Sequence, residues 1–90
     1  MSREQIRAAV VSALLSTRAG QSDAPALIDD ETATGGTGLG ISSLNMLQAL
    51  VRIEDSLGVV FDDRAVAEAP LDSVGDVVDL VERALAGKGN

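Results

Sequence analysis

Apolar residues recur with helical spacing in three stretches of the chain. Ile6, Ala9, Val10, Ala13, Leu14 and Thr17 fall at three- and four-residue steps, one stripe of a helix. Ser2 and Gln5 stand at capping-box spacing before that stripe, which predicts a first helix ending near Arg18 or Gly20. A second helix is predicted over 43–57, with Ser42 as N-cap and Gly58 as the stop. The last begins at Ser73, with Asp76 in the capping-box position and Val74, Val77, Val78, Val81 and Leu85 on one stripe. Between them Asp62 or Asp63 caps a short turn of helix that Pro70 closes off, and Val59-Val60-Phe61 reads as an apolar connection.

The expected architecture is all-α: a small four-helix bundle of three main helices plus one short helix, with a long first loop. One domain fills residues 1–90, its core spanning about 3–86 and a frayed tail over 87–90.

The second helix has more apolar surface than one core-facing stripe requires. At about 100° per residue, Met46, Ala49, Leu50, Ile53 and Leu57 share one arc. Leu44, Leu47 and Val51 form a second stripe beside it. Either the bundle wraps this helix on two sides, or the second stripe stays partly exposed and binds partners.

Residues 19–41 form a long connection rich in Gly, Asp, Thr and Ala. Gly35, Gly36, Gly38 and Gly40 exclude a regular helix or strand there. Leu27, Ile28 and Leu39 are its large apolar residues and are expected to pin it to the helices, while 30–38 are expected to be mobile. A phosphate loop would need Lys-Ser or Lys-Thr after the last glycine, yet Gly40 precedes Ile41-Ser42. A dinucleotide fingerprint would need Gly at position 41 and a preceding strand.

Composition removes whole classes of chemistry. The chain has no Cys and no His, so disulfides, thiolate zinc sites, a cysteine nucleophile and histidine-based triads are excluded. A net charge of −7 argues against nucleic acid as a partner. Phe61 is the one aromatic residue, so Val, Leu, Ile and Ala must build the core. No stretch reaches the length of a membrane span, and a soluble, cytoplasmic monomer is expected. Carboxylates crowd at Asp62-Asp63 and along Asp72, Asp76, Asp79 and Glu82, with Arg64 and Arg83 as the expected compensation.

Leu39-Gly40-Ile41-Ser42-Ser43-Leu44 opens the second helix directly after the long loop. This segment resembles the attachment motif of acyl carrier proteins, usually Leu-Gly-x-Asp-Ser-Leu. The element order, Glu54-Asp55 with Leu57-Gly58-Val59, and Ser73-Val74-x-Asp76 extend the resemblance over most of the chain. It implies that Ser43 carries a covalent 4′-phosphopantetheine, placed there by a phosphopantetheinyl transferase. An added thiol arm also suits a chain that has none of its own. Ser42 stands where the family usually has Asp, which keeps a capping side chain but removes a charge.

The resemblance further implies a carrier and no enzyme, with no catalytic residue and no metal site. Acyl-loading and acyl-processing enzymes are expected to dock on Leu44, Leu47 and Val51. The exposed positions around them are expected to be Asn45, Gln48 and Arg52, with acid only at Glu54 and Asp55, so electrostatic steering is weaker. That pattern suits a specialised biosynthetic pathway, such as polyketide or fatty-acid-like metabolism. A peptidyl carrier and an unmodified helical interaction module are the alternatives. Peptidyl carriers usually resemble Gly-Gly-x-Ser-Leu at this point, and here only Gly40 is present.

Overall fold

The computed structural model describes residues 1–18, 28–36 and 38–88. Its helices are α1 (Arg3–Ser16), α2 (Ser43–Leu57), α3 (Asp63–Glu68) and α4 (Val74–Lys88). The all-α expectation holds among the described residues, where Ala33 and Ser73 form one isolated antiparallel bridge and no strand. Leu27 lies outside the described residues.

Local chemistry starts and stops these helices as the sequence implies. Ser2 and Gln5 form a reciprocal capping box on α1, which ends at Ser16 with Thr17 as C-cap, slightly earlier than expected. Asp62 caps α3. Ser73 Oγ accepts the Asp76 amide while Asp76 Oδ2 accepts the Ser73 amide, the capping box of α4. The last helix continues through Gly87 to Lys88, past the point where a frayed tail was expected.

Helix α1 packs against both α2 and α4. Ile6, Val10 and Leu14 meet Met46, Ala49, Leu50 and Ile53 from α2 and Val74, Val77, Val78 and Val81 from α4 in one buried cluster. Leu57 and Leu85, placed on core stripes by periodicity, are half-buried at its edge. Val59 and Phe61 turn inward and Val60 outward. Glu54 Oε2 accepts the Phe61 amide at 2.8 Å, fixing this connection to α2.

The described part of the first loop is stitched to the start of α4: Asp30, Thr32 and Thr34, within the stretch expected to be mobile, are joined by hydrogen bonds to residues 71–75, while Thr37 lies outside the described residues. Thr34 is buried, its hydroxyl donates to the Leu71 carbonyl at 2.6 Å, and its amide donates to the Asp72 carbonyl at 2.9 Å. The amides of Val74 and Gly75 donate back to the carbonyls of Thr32 and Asp30. A side chain at Gly75 would put its Cβ 2.9 Å from the Asp30 carbonyl oxygen, so glycine permits this close approach. Leu39 is fully buried and Ile28 half-buried, as anchors should be.

Arg3 and Asp30 complete the anchoring. The Arg3 guanidinium bonds Asp30 on the loop at 2.9 Å, Asp79 on α4 at 2.9 Å, and Glu82 one turn further on. Arg7 reaches the other Asp30 oxygen at 3.2 Å. Hydrogen bonds from Arg3, and then Arg7, outweigh partial desolvation and hold the Asp30 carboxyl below its ordinary range. The acid on α4 is therefore balanced from α1, beyond the Arg64 and Arg83 that sequence proximity suggested. Among the described residues Arg64 pairs with exposed Glu68 on its own helix.

Candidate functional site

Ser42 and Ser43 are adjacent, and the structure gives them different surroundings. Ser42 has extended backbone (φ −74°, ψ 166°) and its Oγ accepts the Asn45 amide at 3.1 Å. Ser43 is the first residue of α2, is exposed, and its hydroxyl holds no hydrogen bond among the described residues. It lies beside the free amides and positive dipole end of a fifteen-residue helix, surroundings that stabilise a phosphate group. Asn45 is half-buried, not exposed: its side-chain amide donates to the Thr17 carbonyl at 3.0 Å and ties the start of α2 to the end of α1.

The two apolar stripes of α2 separate cleanly. Met46, Ala49, Leu50 and Ile53 are buried, whereas Leu44, Leu47 and Val51 are 65%, 56% and 55% exposed. The bundle therefore does not wrap α2 on two sides, and the second stripe stays exposed. The charges around it are mixed in sign, with exposed Asp63 of α3 lining the adjoining groove. Arg52 and Asp55 are exposed, but Glu54 is half-buried and occupied by the Phe61 amide. Below the stripe a shallow groove of about 430 Å³ runs between α2 and α3, with Leu47, Val51 and Val66 on its walls.

A second cleft, of about 590 Å³, has Ser42 and Ser43 on its rim. Ile41, Met46, Leu47 and Leu71 give it apolar walls, and the Thr34–Gly35 turn and Asp72 bring polar ones. The loop stitching described above fixes two of these walls, because Thr34 and Asp72 are joined through their backbones. Sequence reasoning missed both residues. Thr34 sat in a run without periodicity, and Asp72 is 29 positions from Ser43 along the chain.

Among the described residues no cluster of three or more acidic side chains is arranged to hold a metal ion. Nor is any described helix long and apolar enough to cross a membrane. No protein-family model, curated protein or solved structure matches this chain.

Proposed function

We propose that this protein is a carrier that holds acyl intermediates as thioesters on a 4′-phosphopantetheine arm attached to Ser43. The observation that supports the assignment most is the division of labour between the two serines. The Ser42 oxygen is engaged in capping, while the Ser43 hydroxyl stands exposed at the head of α2, unengaged among the described residues.

In the attachment reaction Ser43 Oγ forms a new bond to the pantetheine-bearing phosphorus of coenzyme A. The pyrophosphate linkage breaks, adenosine 3′,5′-bisphosphate leaves, and the hydroxyl proton passes to the transferase. The residues fit this role: the phosphodiester would lie against the first-turn amides of α2, and the thiol would supply the nucleophile that a cysteine-free chain lacks. A hydrolase built on Ser43 would lack the usual base, since the chain has no His and no Lys near the motif.

The exposed Leu44, Leu47 and Val51 supply a small apolar docking patch beside the attachment point. Such a patch suits enzymes that meet the carrier transiently, since a few apolar anchors dominate interfaces of this kind. The mixed signs of Arg52, Asp55 and Asp63 around it favour partners recognised by shape over charge, consistent with a specialised biosynthetic route.

The test is intact mass after incubation with a phosphopantetheinyl transferase and coenzyme A. The wild-type chain should gain the mass of one arm, and Ser43→Ala should gain none while keeping its helical circular dichroism. A wild-type chain that never gains mass with several transferases would support the unmodified interaction module instead.

A further inference from the structure

We propose that Asp72 determines which cargo settles beside the attachment point: cargo with a free carboxylate is repelled from the Ser43 cleft, and cargo bearing an amino group is held there. The inference rests on the carrier reading above and adds the charge class of the cargo.

Three observations carry it. The cleft begins at Ser43 itself, so whatever Ser43 bears is within reach of the cleft at very high local concentration. Its walls are mixed, with apolar Met46, Leu47 and Leu71 beside the polar Thr34–Gly35 turn, and so accept a short amphipathic chain. Among the described residues, Asp72 is the one ionisable side chain on those walls, with no Lys or Arg beside it in the lining.

The position of Asp72 is fixed by its backbone. Its amide donates to Asp76 Oδ2 at 3.0 Å and its carbonyl accepts from the Thr34 amide at 2.9 Å. Its own carboxylate is exposed and holds no hydrogen bond among the described residues. Asp76, the nearest acid in sequence, is occupied with the Asp72 and Ser73 amides and adds negative potential. A phosphodiester on Ser43 would contribute a further negative charge to the same cleft. With a phosphodiester taking up the first-turn amides of α2, a carboxylate entering this cleft meets Asp72, of like sign, as the charged side chain of its described lining, whereas an ammonium meets an opposite charge. Uncharged acyl groups fall between the two.

The experiment loads the full chain with butyryl, β-alanyl and malonyl groups from their coenzyme A thioesters. These groups are similar in size and carry neutral, positive and negative termini. Amide chemical shifts of Thr34, Gly35, Ile41 and Leu71 are compared with those of the unacylated arm-bearing form. The account expects the largest changes for β-alanyl and the smallest for malonyl, differing by roughly threefold at low ionic strength and converging as salt screens the site. Asp72→Asn should remove the ordering while leaving mass gain at Ser43 intact. Equal changes for the three cargoes, a malonyl response as large as that of β-alanyl, or an ordering unaltered in Asp72→Asn would each overturn the proposal. Failure of the wild-type chain to gain the arm would overturn the carrier reading together with this one. Mass gain with charge-blind shifts would overturn this one alone.

Discussion

The Asn45 amide donates to Ser42 Oγ at 3.1 Å, and this bond separates the structural serine from the available one. Losing an N-cap side chain costs about 1 kcal/mol, so Ser42→Ala should lower the stability of the fold by that amount. Ser43→Ala removes an exposed hydroxyl that has no partner among the described residues and should stay within about 0.5 kcal/mol of wild type. Chemical denaturation of both variants measures the difference.

The two stripes of α2 should respond differently to truncation. Ile53 is fully buried, and Ile53→Ala should cost about 2–5 kcal/mol through lost burial and the cavity left behind. Leu47→Ala and Val51→Ala remove half-exposed surface and should cost under about 1 kcal/mol each. The same two variants should slow loading by partner enzymes, with Leu44→Ala the most affected because it adjoins Ser43. Large destabilisation at both Leu47 and Val51 would place that stripe in the core and remove the docking surface.

Amide exchange tests the stitched loop. The Thr34, Val74 and Gly75 amides should exchange slowly, since each donates between the loop and the 72–75 segment. Gly75→Ala should speed exchange at all three, because its Cβ would press on the Asp30 carbonyl. Fast exchange at Thr34 in the wild-type chain would return the loop to the unanchored picture.

Most of the fold was legible because its signals are local. Ser2 with Gln5, and Ser73 with Asp76, are three residues apart, and the stripes of α1, α2 and α4 repeat within single helices. The contacts of Arg3 with Asp79 and Glu82, and of Thr34 with Leu71, join residues far apart in sequence. They exist only once α1, α4 and the loop have closed on one another, so no periodicity announces them. The site divided along the same line. The proposal of Ser43 comes from a six-residue segment, whereas the Asp72 wall depends on how the loop folds back.

Acid should loosen the Arg3 clamp. The Asp30 carboxyl titrates below its ordinary value in the folded chain, mainly through its hydrogen bonds with Arg3. Its stabilisation is therefore complete above the unfolded value of about 3.9 and is lost as pH falls through the lower folded one. Melting temperature measured from pH 6 down to pH 2 should fall less steeply in Asp30→Asn than in wild type. Arg3→Gln should lower the melting temperature at neutral pH, where it frees Asp30, Asp79 and Glu82 to repel one another. Parallel acid limbs in wild type and Asp30→Asn would show that the clamp contributes nothing to the pH dependence.

The central claim is that Ser43, and not Ser42, bears the arm. The most direct measurement is fragmentation mass spectrometry of the modified peptide spanning 39–52, on wild type and on Ser42→Ala. The account predicts the added mass on Ser43 in both chains. Mass located on Ser42 in the wild-type peptide, or modification that survives Ser43→Ala and vanishes in Ser42→Ala, would contradict it.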